Sequence, residues 1–290
     1  MRIDAHQHFW LPARNDYAWM DSLTGEAAHR LKRPALPAEL EPILAHHGIS
    51  QTVLVQAAET EAEADFLLSL AGQCSFIGGV VIWLDMTRPD FERRLSAFSA
   101  LPKLVGVRPM IQDIEDPAWM LGPSVKRAFG VLEESGVCFD FLIRPHQLEP
   151  TLRILDEFPR LRAVIDHIAK PFIASGRLTP WDDLMRRVGE HGNVYCKLSG
   201  MITEADHERW GPGDLLPFIR HAVACFGPER LMFGSDWPVC TLAGSYDQVV
   251  AALEESLDSL ALDAEARQRI FGGTARHFYR MNCGEGTRQP

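Results

Sequence analysis

One pattern constrains the fold more than any other: a strand-like run followed by a helix-like run, again and again. Short apolar runs rich in β-branched residues fall at 2–10, 51–58, 76–85, 103–111, 137–145, 162–170, 193–200 and 230–238. They read as continuous apolar stretches more than strict alternations, as parallel strands covered on both faces do. Segments of helical spacing lie between them, at 37–48, 59–72, 124–136, 147–158, 179–192, 214–227 and 245–257. The tail 264–279 reads as further helix broken at Gly272-Gly273. Thr179, Pro180 and Asp182 suggest a helix start with a cap, a first-turn proline and a first-turn acid. Eight β-then-α units predict a (β/α)8 barrel, an α/β fold with one domain over 1–290. The competing topology is a doubly wound open sheet. No G-x-G-x-x-G follows the first run, which weighs against that sheet and against a nucleotide cofactor.

Composition narrows the function. The chain is 46% hydrophobic over 290 residues, enough for one large core. A net charge of −10 excludes general affinity for nucleic acid, which needs a basic surface. No apolar run approaches the roughly 18 residues of a membrane span. Charged and imidazole groups appear at once at the N-terminus, so no signal segment and a cytoplasmic location are expected. Cys74, Cys138, Cys196, Cys225, Cys240 and Cys283 form no C-x-x-C pair and are expected to be small buried apolar groups. A monomer or homodimer is expected. The longest irregular stretch, about 10–36, follows the first strand and carries Trp10, Tyr17, Trp19, Arg30 and Arg33; it is a candidate lid.

In a parallel barrel every C-terminal strand end meets on one face, where such folds keep their chemistry. Marking the polar residues there gives His6 and His8 on strand 1, Gln56 on strand 2, and Trp83 with Asp85 on strand 3. Strand 4 gives Arg108, strand 5 Arg144 and His146, and strand 6 Asp166, His167 and Lys170. Strand 7 gives Lys197 and Ser199, and strand 8 Ser235, Asp236 and Trp237. His6 and His8, two apart on a strand, share a side. With His167 and Asp236 they make three imidazoles and a carboxylate. That set suits one divalent metal such as Zn²⁺. It equally suits a metal-free site in which the carboxylate activates water and imidazoles polarise a carbonyl. Taken singly, each has a blander reading: Asp166-His167 as a satisfied polar pair, Arg108 as a surface partner, Asp236 as a helix cap. Four strands converging is what favours a site. His46-His47 suits a helix C-terminus, and Trp119, Trp181 and Trp210 read as packing residues.

These residues carry a resemblance. D-A-H-Q-H-F-W, V-L-V-Q-A, G-V-R-P, D-H-I-A-K-P, K-L-S-G, G-S-D-W-P and I-F-G-G-T-A-R-H-F-Y together resemble the amidohydrolase superfamily over nearly the whole chain. The closer likeness is to its amidohydrolase-related branch of lactone hydrolases, which includes fuconolactonase, rhamnonolactonase and pyrone-dicarboxylate lactonase types. The resemblance implies His6, His8 and His167 as the site histidines, Asp236 as general base, and Arg108 as an anchor for carbonyl or substrate. Two-metal members carry a strand 4 lysine that becomes a bridging carbamate. Arg108 stands there, so the resemblance implies at most one divalent metal, Zn²⁺, and some lactonases of this branch work without any. His146 lies past Pro145 and is uncertain as a ligand. The implied activity is opening of a sugar-acid lactone, with Gln56, Trp83, His146, Lys197, Trp237 and Arg33 as expected substrate-binding groups. Alternatives in the same superfamily are a metal-dependent decarboxylase of an aromatic or unsaturated acid, and a lactonase for a pyrone or muconolactone.

Overall fold

A computed structural model describes residues 1–281. Eight parallel strands follow one another round a single sheet in the order of the sequence. They are β1 (Arg2–Gln7), β2 (Ile49–Val55), β3 (Ile77–Ile82), β4 (Leu104–Val107), β5 (Cys138–Phe141), β6 (Ala163–Ile165), β7 (Val194–Leu198) and β8 (Leu231–Phe233). The helices are α1 (Gly25–Leu31), α2 (Pro37–His46), α3 (Glu61–Gln73), α4 (Phe91–Ser99), α5 (Pro123–Ser135) and α6 (Leu148–Glu157). They continue with α7 (Trp181–Gly189), α8 (Pro212–Phe226), α9 (Tyr246–Ser259), α10 (Ala264–Gln268) and α11 (Thr274–Phe278). The expected barrel is therefore present. Its seam between β8 and β1 is closed by few bonds: His8 N donates to Trp237 O at 2.7 Å and Asp236 N to His6 O at 2.8 Å.

Two apolar layers build it. Helix-facing strand residues such as Leu54, Val80, Ile82, Phe139, Ile165, Leu198 and Phe233 pack with the helices in the main core. Ile3, Ala5, Val53, Val55, Val81, Val164 and Met232 fill the barrel interior, joined by Phe278, Tyr279 and Met281. The C-terminal helix thus plugs the end of the barrel away from the strands' C-termini.

Several expectations shift in detail. α4 was not marked in the sequence; its Phe91, Leu95 and Phe98 are buried at helical spacing among charged residues. α7 starts at Trp181 with Pro180 at its cap position, and Thr179 makes no capping bond. The predicted strands run long, because β6 stops at Ile165 and β8 at Phe233. The apolar residues beyond those ends stay buried but leave the ladder to curve over the mouth. Cys74, Cys138, Cys196, Cys225 and Cys240 are free thiols; Cys74 and Cys225 are only half-buried, and Cys283 lies outside the described residues. Among the described residues no helix is long and apolar enough to cross a membrane.

The 10–36 segment is not structureless. Its ends are paired by Trp10 N to Ala35 O and Ala35 N to Trp10 O, each 3.0 Å. Between them lie α1 and two short 3₁₀ turns at Pro12–Arg14 and Ala18–Ser22. Trp10 Nε1 donates to Leu31 O and Arg33 O, and Trp19 Nε1 reaches Ala57 O at 2.7 Å. Tryptophan indoles therefore tie the segment down over β1 and β2.

Candidate active site

β1 solves a problem of aim. Ile3 and Ala5 face the interior, so strict alternation would turn His6 and His8 outward. The register between β1 and β2 slips between Asp4 and Gln7, three steps on β1 against two on β2. This bulge resets the alternation. His6 and His8 then point into the mouth, Gln7 reaches outward to Thr52, and Asp4 faces the helix layer.

Asp4, which had no expected role, clasps the barrel seam. Its Oδ1 accepts from His6 N (3.1 Å) and Ser235 N (2.9 Å), and its Oδ2 from Ser235 Oγ (2.6 Å) and Tyr246 OH (3.0 Å). One buried carboxylate thus fixes His6 and the residue next to Asp236. Burial lifts its pKa to about 6, from 3.8, against the pull of those bonds. The folded state holds this proton more tightly than the unfolded chain. Stability from Asp4 therefore falls as pH rises from about 4 to about 6, by roughly 3 kcal/mol, and is level above. Asp4→Asn is expected to flatten that part of the stability curve, measured by urea unfolding at pH 4.5, 5.5 and 6.5. An unchanged slope counts against the assignment.

At the centre, Asp236 Oδ1 lies 3.3 Å from His8 Nε2, 3.8 Å from His6 Nε2 and 4.0 Å from His167 Nε2. His6 and His8 touch through their Nε2 atoms at 3.2 Å. All four side chains are buried. His8 Nδ1 donates to Val55 O at 2.8 Å, which turns its Nε2 toward the carboxylate. His167 Nδ1 is held by Ser199 Oγ at 2.8 Å, aiming its Nε2 at the same point. His6, His167 and Asp236 offer ligand atoms within 4.8 Å of one another, and His8 completes the set. The donor set therefore fits one divalent metal. Burial pushes the pKa of the His6 and His167 imidazoles far below the usual value. Burial also pushes Asp236 up, but the imidazoles of His167 and His8 outweigh it, so its carboxylate ionises below the usual range.

Beneath this cluster is an ionic layer. Lys197 Nζ contacts Asp140 Oδ2 (2.6 Å), Asp166 Oδ1 (2.9 Å) and His6 Nδ1 (3.1 Å), all wholly buried. Tyr279 OH donates to Asp140 Oδ2 at 2.7 Å. Arg108 Nη1 faces Asp166 Oδ2 and His6 Nε2, each at 3.3 Å, while Nη2 donates to Gln56 O at 2.5 Å. Burial raises Asp166, but Lys197 and Arg108 bring it below the ordinary aspartate value. Asp166 Oδ1 lies 3.5 Å from His6 Nδ1, placed to accept a hydrogen bond from that nitrogen when Nε2 is engaged.

Strained backbone delivers two of the groups. His167, Ile168, Ala169 and Lys170 all have positive φ, at 53°, 46°, 58° and 49°, and Asp236 has φ 58°. Left-handed conformation costs a non-glycine residue about 1–2 kcal/mol, and such strain concentrates at functional sites. Lys170 N to His167 O (2.8 Å) and Trp181 Nε1 to Ile168 O (2.6 Å) hold the turn. Trp181 is thus more than packing. Gly200 is required beside it: a Cβ there would lie 2.5 Å from His167 Nδ1, and its φ is +57°.

A cavity of about 260 Å³ opens above the cluster. His8, Arg108, His167 and Asp236 form its floor; Trp10, Trp19 and Met110 are among its walls, with Gln112, Asp113 and Lys170 as polar members. The six expected substrate-binding groups do not line it, and each has a physical reason. Lys197 and Gln56 are wholly buried, one in the ionic layer and one donating Nε2 to Arg108 O at 2.7 Å. Trp237 is buried against Phe9 on the barrel seam. Arg33 forks onto Glu39 at 2.6 and 2.7 Å, Trp83 is half-buried away from the lining, and His146 is exposed past Pro145. Arg30, also considered, bonds Glu26 and Thr241 O. Sequence reading had Trp10 and Trp19 on the candidate lid but missed Met110, Gln112 and Asp113, which come from a connection whose path no periodicity records.

The family model for amidohydrolases matches residues 3–281. The chain belongs to the amidohydrolase family. This amidohydrolase is 41% identical to an L-fucono-1,5-lactonase of Burkholderia ambifaria, over 98% of this chain and 97% of that one. It is 35% identical to an L-fucono-1,5-lactonase of Burkholderia multivorans, over 97% and 96%. A crystal structure of an amidohydrolase from Burkholderia multivorans with bound zinc superposes with a TM-score of 0.90, at 35% identity over 97% of this chain and 100% of that one.

Proposed function

We propose that this amidohydrolase opens the ring of a sugar-acid lactone of the L-fucono-1,5-lactone type, giving the free acid. The observation that carries the reading is Asp236, an ionised buried carboxylate within 4.0 Å of three imidazole nitrogens at the floor of a tryptophan-walled cavity. The names of its relatives from the two Burkholderia species support the substrate class.

One zinc ion would be held by His6, His8, His167 and Asp236. Bound there, it would supply Lewis-acid polarisation of a carbonyl and acidify a water. The chain's own residues do the rest. Asp236 takes the proton of the attacking water, whose oxygen adds to the lactone carbonyl. Arg108 sets positive charge where the carbonyl oxygen becomes negative. The ring C–O bond then breaks, and the proton on Asp236 passes to the leaving alkoxide. The Nδ1–Val55 O bond turns His8 Nε2 toward Asp236, where it would serve as a ligand. Trp10 and Trp19 stack on the sugar face, and the 10–36 segment serves as the lid.

The test is a panel of aldonolactones followed by acid release with a pH indicator, on metal-stripped and zinc-supplemented protein. Turnover of neutral aldonolactones is expected. Silence on that panel, with metal-dependent release of CO₂ from an aromatic acid, would point to the decarboxylase chemistry instead.

A further inference from the structure

Charge in the cavity is balanced group by group. Its lining carries two cations, Arg108 and Lys170, and two carboxylates, Asp113 and Asp236. Arg108 is committed to Gln56 O, Asp166 and His6. Lys170 arrives on the left-handed turn after β6, and its Nζ is paired with Glu204 Oε1 at 3.3 Å. Glu204 comes from the 3₁₀ turn Ile202–Glu204 between β7 and α8. Both side chains of the pair are mostly shielded, at 17% and 21% exposure, so the pairing is weakly screened by solvent.

Among the described residues, a carboxylate-bearing substrate entering this cavity meets no cationic side chain that is not already held by a carboxylate. It also meets Asp113 and Asp236. A neutral lactone needs no such cation. We infer that the Lys170–Glu204 pair sets the charge class of the substrate: Glu204 neutralises Lys170, so the cavity takes neutral polyhydroxy lactones and rejects lactones that carry a free carboxylate. The inference rests on the lactonase reading of this site. The pair acts on the product too. Ring opening turns a neutral substrate into an anion, and a cavity whose lining Arg108 and Lys170 are both paired with carboxylates favours its release.

The experiment compares wild type, Glu204→Gln, Lys170→Met and the double variant at one ionic strength. Binding is read as inhibition constants, or ligand-induced melting shifts, for glutarate and for the sugar acid product. Specificity is read as the ratio of kcat/KM for muconolactone to that for a neutral aldonolactone. Glu204→Gln frees the Lys170 charge and is expected to bind glutarate and the product at least tenfold more tightly. The same variant is expected to raise the ratio at least tenfold. The double variant is expected to lose both gains, and Lys170→Met alone to leave glutarate affinity within about threefold of wild type.

Equal glutarate affinity in wild type and Glu204→Gln would overturn the inference. So would a gain that survives Lys170→Met, or a tenfold loss of glutarate binding in Lys170→Met alone. If wild type hydrolyses no lactone, the lactonase reading fails, while the glutarate comparison still reports on the pair by itself.

Discussion

Asp236→Asn is expected to lower kcat by about 10²–10⁴, the usual worth of a positioned general base, while the melting temperature stays within a few degrees. The amide keeps the shape of the carboxylate but cannot take a proton from water at neutral pH. In the native chain Asp236 is ready to do so: burial opposes its charge, yet the neighbouring imidazoles of His167 and His8 keep it ionised. Its own position is secured elsewhere. Asp236 N donates to His6 O, and Asp4 grips Ser235 next door through both backbone and hydroxyl. These contacts survive the substitution, so loss of turnover without loss of fold is the signature. A folded variant with near-wild-type turnover would remove Asp236 from the mechanism.

The second large effect concerns stability. Lys197→Met is expected to cost about 3–5 kcal/mol, as breaking a buried ion pair from one side does, which is roughly a 6–20 °C fall in melting temperature for a domain of this size. The ammonium sits 2.6 Å from Asp140 and 2.9 Å from Asp166, with none of the three exposed. Removing it strands Asp140 inside the barrel and leaves Asp166 with Arg108 alone, at 3.3 Å. The double variant Lys197→Met with Asp140→Asn is expected to recover part of the loss, because the stranded charge is then gone. Lys197→Met melting with the wild type would show that the layer is not held by this pair. Asp140 itself is lifted to about 6 by burial, against the attraction of Lys197. Its stability contribution, like that of Asp4, therefore falls as pH rises from about 4 to about 6.

The barrel and the four central residues were legible in the sequence for a definite reason. Parallel strands buried on both faces must be apolar throughout, so a titratable group at such a strand's end stands out. His6, His8, His167 and Asp236 each break an apolar run. The same contrast exposed Lys197 but misassigned it. A lysine at a strand end reads as reaching for substrate, whereas β7 turns it into the barrel beneath His6. Asp166 was marked only as one of a satisfied polar pair and Asp140 was not marked, because charges paired across three strands leave no mark in local spacing. The bulge in β1 was invisible as well. Without it, strict alternation would place Ala5 inside and His6 outside, and the histidine pair would have no site to enter. The glycine of K-L-S-G had a reason that only packing supplies, the ring of His167 lying against Gly200.

The most direct measurement is the initial rate of acid release from freshly prepared L-fucono-1,5-lactone, corrected for spontaneous ring opening, with Asp236→Asn as the enzyme blank. The expected result is saturable hydrolysis by the wild type, with the Asp236→Asn rate lower by about 10² or more. Equal rates for the two proteins, or no rate above the spontaneous reaction, would contradict the assignment of this cavity as a lactone-hydrolysing site.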